Sequence, residues 1–195
     1  MNLFRNFFLF ALVILISVSS VFAQNDDFKS TISVDAGFSL VGAIFKAADL
    51  DPTATFSSYS IPAIEATYDY SIAKWFSLGA GVSYQMMGME VDYQNENFKV
   101  KVSRLNFGVR PLFHYGNSGK LDMYSGFRVG MNKWGASVED NGTTYKLDDY
   151  FNASYFGAQL VLFGFRGYFT DNFGCNFELA AGSPHFLAIG LNYRM

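Results

Sequence analysis

After Lys29 the chain alternates almost without interruption. In "FLAIGLNYRM", Phe186 to Met195, every second position is apolar: Leu187, Ile189, Leu191, Tyr193 and Met195. Between them stand Ala188, Gly190, Asn192 and Arg194. A period of two sends successive side chains to opposite faces of a strand, so the segment has one greasy face and one small, polar face.

Seven earlier runs read the same way, separated by polar or turn-forming breaks. The first, Thr31 to Ile44, sets Ile32, Val34, Ala36, Phe38 and Leu40 against Ser33, Asp35, Gly37 and Ser39. The second, Tyr59 to Tyr70, sets Ile64, Ala66, Tyr68 and Tyr70 against Glu65, Thr67 and Asp69. The third, Phe76 to Val91, sets Phe76, Leu78, Ala80, Val82 and Tyr84 against Ser77, Gly79, Gly81, Ser83 and Gln85. The fourth, Phe98 to Tyr115, sets Leu105, Phe107, Val109, Pro111 and Phe113 against Arg104, Asn106, Gly108 and Arg110. The fifth, Leu121 to Ser137, sets Met123, Phe127, Val129 and Met131 against Tyr124, Gly126, Arg128, Gly130 and Asn132. The sixth, Ser154 to Phe169, is apolar on both faces in "LVLFGF", which leaves its phase open. The seventh sets Phe173, Cys175, Phe177 and Leu179 against Gly174, Asn176 and Glu178. Wherever a phase is readable the apolar face is expected to carry no charge. The other face collects Asp35, Glu65, Asp69, Arg104, Arg110, Arg128, Glu178 and Arg194, with many glycines.

The connections alternate in length. Tight turns, "SIAKW", "GNSGK" and "TDN", follow the second, fourth and sixth runs. Longer loops follow the first, third and fifth: Lys46 to Ser58, the tip around Gln94, and Val138 to Ala153. An even number of antiparallel strands puts the tight turns and both termini on one side. The pattern predicts an all-β fold, an eight-stranded antiparallel up-and-down transmembrane β-barrel with short periplasmic turns and longer external loops.

Alternation is shared by membrane barrels and soluble lipocalin-like barrels, which differ in the face turned outward. A narrow eight-stranded interior has room for small residues around a few long ones, and here the glycines share the polar face. Tyr59, Tyr68, Tyr70, Trp75, Phe76, Phe113, Tyr115 and Tyr193 cluster at run ends, as interfacial girdles do. Both features turn the apolar face to lipid. A soluble ligand-binding barrel would line its interior with the bulky set instead.

Runs three and four specify a register. Pairing residues whose numbers sum to 189 matches Tyr84 with Leu105, Val82 with Phe107, Ala80 with Val109 and Phe76 with Phe113. Beyond Met86 the chemistry inverts. Outward positions become Gly88, Glu90, Lys99 and Lys101, and the inward ones Met87, Met89, Val91, Phe98, Val100 and Val102. The hairpin is expected to leave the membrane and stand in water. Its apolar face then folds over the barrel mouth, packs against other loops or meets a partner. Pro111 conflicts with a closed ladder, since proline donates no hydrogen bond, and a local bulge would ease it.

Composition narrows the class. Half the residues are hydrophobic and 18% are aromatic, but the mature segments hold no long apolar run, so a membrane-spanning chain of this kind must span with strands. Residues 1–23 read as a cleaved signal peptide. Arg5 is the basic leader, "FFLFALVILI" the apolar core, and Val21 and Ala23 are the small residues before the cut, leaving residues 24–195 as the barrel domain. Removing Arg5 takes the formal charge from −3 to −4, which speaks against a nucleic-acid partner. Cys175 is the only cysteine, so no internal disulfide is available.

The signal segment, the eight runs, "RLNFGVRPLFHY" before a short turn, and the ending "AIGLNYRM" resemble the small outer-membrane β-barrels of Gram-negative bacteria. These are the OmpX/OmpA-like barrels and the broad outer membrane β-barrel domain group that includes PorT-like proteins. The resemblance covers essentially residues 24–195. It implies outer-membrane localisation, lipid as the surrounding partner, and a final strand read by the barrel-assembly machinery. Such strands usually end on an aromatic residue, whereas here Tyr193 precedes Met195 by two positions.

Candidate chemistry is sparse. His114 and His185 are the only histidines, and no cysteine or carboxylate stands at metal-ligand spacing, so neither metal nor other cofactor is expected. The His-x-Ser pattern of barrel lipid hydrolases is absent, since "YG" follows His114 and "FL" follows His185. The interior charges Asp35, Glu65, Arg104, Arg110, Arg128 and Glu178, with Arg166, read as a salt-bridged plug or as the gate of a narrow pore. The sequence therefore points to a non-enzymatic envelope barrel with a structural or surface-interaction role and an unknown extracellular or envelope protein partner. A narrow channel, a lipid-modifying enzyme and a soluble ligand binder are the alternatives.

Overall fold

A computed structural model describes residues 30–47, 56–93, 96–115, 120–140, 143–147 and 154–195. The expected signal segment, residues 1–23, lies outside them. The strands are β1 (Ser30–Phe38), β2 (Phe56–Ser60), β3 (Ala63–Ala73), β4 (Phe76–Tyr93), β5 (Glu96–His114), β6 (Leu121–Asp140), β7 (Thr143–Lys146), β8 (Ser154–Tyr168), β9 (Phe173–Gly182) and β10 (Leu187–Arg194), with one helix, α1 (Leu40–Ala47).

Eight of these strands close a ring. Antiparallel pairing runs β1–β3–β4–β5–β6–β8–β9–β10, and β10 returns to β1 with Val34 opposite Leu191. Closure removes every sheet edge from the barrel wall, the condition for spanning lipid with strands. The wall turns its large apolar side chains outward: Val34, Ile64, Val82, Phe107, Val109, Phe127, Leu160, Ile189 and Leu191 are all exposed. Buried inside are Ser33, Glu65, Thr67, Asp69, Asn106, Arg110, Arg128, Asn176 and Asn192. An inside that is polar and an outside that is apolar is a transmembrane barrel, and the soluble ligand-binding alternative does not fit it. At the turn end Trp75, Phe76 and Phe113 form an aromatic cluster with ring centroids 5.4 to 6.2 Å apart.

The β4–β5 ladder keeps a residue sum of 189 from Phe76↔Phe113 to Tyr93↔Glu96. Beside it the structure corrects four expectations. The first run does not continue as a strand to Ile44. Ser39 caps a helix, its Oγ accepting from the Gly42 amide at 3.0 Å and its carbonyl from Ala43, so Leu40 and Ile44 leave the wall. The second run splits at Ile61–Pro62 into β2 and β3. Pro111 sits in no bulge: the β5–β6 pairing omits Arg110 and Pro111 and resumes in the same register at Leu112↔Gly126. The apolar face is not free of charge, because Lys133 follows Phe127, Val129 and Met131 on the outward row of β6 and is exposed.

The sixth run now has a phase. Gly157, Gln159 and Val161 point inward, as do Gly164, Arg166 and Tyr168, and the two sets differ in parity. A bulge at Leu162 joins them. Both neighbouring ladders shift register there, and the Ser125 hydroxyl donates to the Leu162 carbonyl at 2.8 Å. Leu162 and Phe163 therefore both face outward, which is why the run reads as apolar on two faces.

Candidate functional site

Two regions are candidates: the filled lumen and the sheet that rises beyond the wall at the loop end. In the lumen, the inward rows of β3, β5, β6, β8 and β9 bring bases from one side of the ring onto acids from the other. Arg110 Nη2 donates to Glu178 Oε2 at 2.6 Å, and Arg110 Nε lies 3.3 Å from Asp69 Oδ1. Arg128 pairs with Glu65 and donates through Nη2 to the Gly81 carbonyl at 3.0 Å. Arg166 pairs with Asp69 and lies 3.5 Å from Asp122, over the Tyr124 ring at 4.6 Å. Tyr124 donates its hydroxyl to Glu178 at 3.1 Å. From the β9–β10 loop, His185 reaches down between two carboxylates, 3.0 Å from Glu65 and 3.4 Å from Glu178.

This packing leaves no room for larger side chains. A methyl group on Gly81 would stand 3.0 Å from the Glu65 carboxylate and 3.2 Å from the Arg128 guanidinium. At Gly81 the space is taken by Glu65 of the neighbouring strand and by Arg128 from across the barrel, whereas at Gly108, Gly126 and Gly130 it is taken by the backbone of the adjacent strand.

Two of the expected network residues have other partners. Asp35 forms no ion pair among the described residues. It accepts from Asn176 and stands directly opposite Glu65 across the β1–β3 ladder. Arg104 forms no ion pair among the described residues. It donates to Gln85 Oε1 at 2.7 Å and to the Pro184 carbonyl, and lies 5.4 Å from the Trp134 ring. Arg104 sits near the loop-end mouth, where strand ends and the 183–186 loop present amides and carbonyls instead of carboxylates. Ser39 and Gln159 complete this cap, donating to Gln85 and to the His185 carbonyl. His185, Asp122 and Tyr124 join the network beyond the residues expected of it. Asp122 and Tyr124 lie on the inward row of β6, so alternation alone could have included them, whereas His185 comes from a loop with no period.

At the turn end, Ser77, His114 and Asp122 from three adjacent strands form a hydrogen-bonded line. Ser77 Oγ is 2.8 Å from His114 Nε2, and His114 Nδ1 is 2.7 Å from Asp122 Oδ1. Serine, imidazole and carboxylate in this order are the parts of an activated nucleophile. Here Ser77 is 1% exposed.

The second region is larger than a hairpin. β4 and β5 run past the wall together, flanked by β2 on one side and by the upper parts of β6 and β7 on the other, so five strands rise as one sheet. Its outer face carries an ion pair between Lys99 and Glu90 at 3.2 Å. Lys101 donates to Glu139 at 3.0 Å, which holds the Glu139 carboxyl below its ordinary range and the Lys101 ammonium above its own. On the inner face Met87 is fully buried, Met89, Val100 and Val102 are half-buried, and Phe98 is 42% exposed. The Val91 backbone pairs with Phe56 and Phe98, and its side chain lies outside the described set. β10, with Leu187, Ile189, Leu191 and Tyr193 in register against β1 and β9, closes the wall, and Met195 pairs with Ser30.

No family model and no curated protein matches the sequence. Among solved structures, the chain is similar to Ail, the attachment invasion locus protein of Yersinia pestis, in complex with the heparin analogue sucrose octasulfate. The match has 11% identity and a TM-score of 0.52, and covers 86% of this chain and 99% of that one. The N-terminal β-barrel domain of Pseudomonas aeruginosa OprF matches at 13% identity and TM-score 0.43, over 86% and 97% of the two chains. Neisserial surface protein A matches at 12% and 0.42, over 86% and 94%. The Ail likeness carries the fold: a small eight-stranded barrel of the outer-membrane type.

Proposed function

We propose that this barrel of the OmpX/OmpA-like type works as a closed outer-membrane anchor whose active part is the five-stranded sheet at its loop end. The observation that favours it is the lumen. Arg110, Arg128, Arg166, Glu65, Asp69 and Glu178 are buried against one another across its width. A pathway for ions would have to break several buried pairs at once, and breaking one such pair costs about 3–5 kcal/mol. The protein is then a surface-interaction or structural component of the envelope, not a transporter. Its short turns and termini face the periplasm and its sheet faces the exterior. β10 serves as the strand read by the assembly machinery. Ail, whose fold is similar, is an attachment protein by name.

Planar-bilayer recording on the refolded barrel tests this reading. The expected result is no resolvable single-channel steps with the wild type, and steps appearing only when Arg128 and Glu65 are both replaced by alanine. Steady conductance from the wild type would overturn it in favour of the narrow channel.

One observation favours a second reading, acyl hydrolysis at the Ser77–His114–Asp122 line. A fluorophosphonate probe decides it. Labelling at Ser77 that disappears with His114→Ala would establish a nucleophile, and an unlabelled folded barrel would leave the line as part of the plug.

A further inference from the structure

Arg110, Arg128 and Arg166 rise into the lumen from β5, β6 and β8. Together they take up Glu65, Asp69, Asp122 and Glu178, with His185 between Glu65 and Glu178. Asp35 on β1 is left out of all these pairs. It is 6% exposed, and its ladder neighbour on β3 is Glu65, a second carboxylate. A buried carboxylate is tolerated when a cation or several donors face it. Among the described residues Asp35 has one donor, the Asn176 amide.

The polar atoms beside it are unanswered too. Ser33 precedes Asp35 on the inward row of β1, and Asn192 of β10 stands opposite Ser33. They are 2% and 1% exposed, and neither Ser33 Oγ nor either amide atom of Asn192 has a hydrogen-bond partner among the described residues. Buried polar groups are hydrogen-bonded in all but a few cases, so three such atoms in one corner call for a ligand. The glycines show where the oxygens lie. A methyl group on Gly190 would run into the Asp35 carboxylate, and one on Gly174 would stand 2.7 Å from Asn192 Oδ1. Gly190 faces Asp35 and Asn176 in the ladders, and Gly174 faces Asn192, so both side chains lean over the floor made by β9 and β10. Residues opposite in a ladder hold their Cβ atoms about 4.5–5.5 Å apart, and alternate residues of a strand lie about 7 Å apart, within reach of one small ion. On the loop side the corner is closed, since a methyl group on Gly37 would stand 2.9 Å from His185. Toward the turn end the row continues with Thr31.

We infer that this corner of the lumen binds a monovalent alkali cation. The Asp35 carboxylate neutralises the ion, Ser33 Oγ and Asn192 Oδ1 coordinate it, and water completes the shell. Asn176 holds the carboxylate in place. Every donor is a hard oxygen and one of them is charged, which suits sodium or potassium. Calcium takes about six to eight oxygens, with more carboxylate than this corner offers. Zinc takes imidazole or thiolate, and the one imidazole nearby, His185, is held between Glu65 and Glu178. His185 stands between the ion and the loop end, so binding needs no open pore.

Urea unfolding of the full barrel refolded in non-ionic detergent tests the site, because urea adds no charge of its own. The chlorides of sodium, potassium, choline and calcium are compared at equal ionic strength. With sodium or potassium the wild-type midpoint should lie above that in choline and level off as the site fills, and the larger response names the ion. Asp35→Asn should remove the difference between sodium and choline. Ser33→Ala should need about tenfold more sodium for the same rise. Glu90→Gln, on the outer face of the extension, should keep the wild-type response. Equal wild-type midpoints in sodium, potassium and choline overturn the site, whatever the variants do. A sodium response that survives in Asp35→Asn overturns it as well, since the ion then acts elsewhere, and so does a response confined to calcium. A gel shift on boiling is read on every variant. If Asp35→Asn gives no folded band, Asn192→Ala takes its place in the comparison, with the same loss of response expected.

Discussion

Within the lumen each charge is held by particular neighbours, and the effects of substitution differ accordingly. Glu65 faces Arg128 and His185 together, so Glu65→Ala strands two groups in the buried interior. Its expected effect is a loss of about 3–5 kcal/mol in unfolding free energy, measured by guanidinium titration in detergent. Asp35 is an acid of the same face, but it accepts from an amide and stands opposite another carboxylate. Asp35→Asn keeps an acceptor for Asn176 and removes the like-charge neighbour, so its change should be about 1 kcal/mol or less. A larger loss would show that Asp35 holds a base. On the outside the rule is simpler. Val82, opposite Phe107 in the belt, is 47% exposed, so Val82→Arg puts a guanidinium into hydrocarbon. A loss of roughly 2–4 kcal/mol is expected in the same titration carried out in lipid vesicles.

Among the elements, β8 shows how one residue sets a whole strand. Leu162 is an extra residue in both of its ladders, and the parity of the inward set changes across it. Deleting Leu162 leaves Val161, Phe163 and Gly164 in regular alternation, so the deleted chain should still fold to a heat-modifiable barrel. Deleting Phe177 from β9 is a different case, because the ladder there is regular from Phe163↔Leu179 to Tyr168↔Gly174. That deletion turns either Glu178 or Asn176 toward lipid. A folded band lost with Phe177 and kept with Leu162 would confirm the bulge, and loss with both would place the defect elsewhere. Ser39 acts on the same scale. As a cap it ends β1 at Phe38 and starts α1 over the mouth, although the side chains of Phe38 and Leu40 continue the strand's alternation.

For the whole molecule, wall and extension are separable. The ring is closed by pairings below Met86 and Ser103, and the five-stranded sheet is added above them. Met89→Ser with Val100→Ser should therefore leave the boiled-versus-unboiled gel shift and the β-sheet circular dichroism intact. They remove apolar area only from the extension. Failure of that variant to give a folded band would make the extension part of the folding core.

Much of this architecture lies in the period of the chain. Alternation depends on nothing but the geometry of a strand, so the eight wall segments, their inner and outer faces and the β4–β5 register can all be read from the order of residues. The same order places Arg110, Arg128, Glu65 and Glu178 on one face. It cannot say which acid each base meets, because Arg128 and Glu65 become neighbours only when the ring closes across 63 positions. Closure also sends Arg104 to the Gln85 side chain and the Pro184 carbonyl and Asp35 to Asn176, and brings His185 in from a loop. Lys133 shows the division most plainly. Its parity with Met131 is visible in the sequence. Its place beside Leu105 of β5 is decided by the stagger of the strands in the closed barrel.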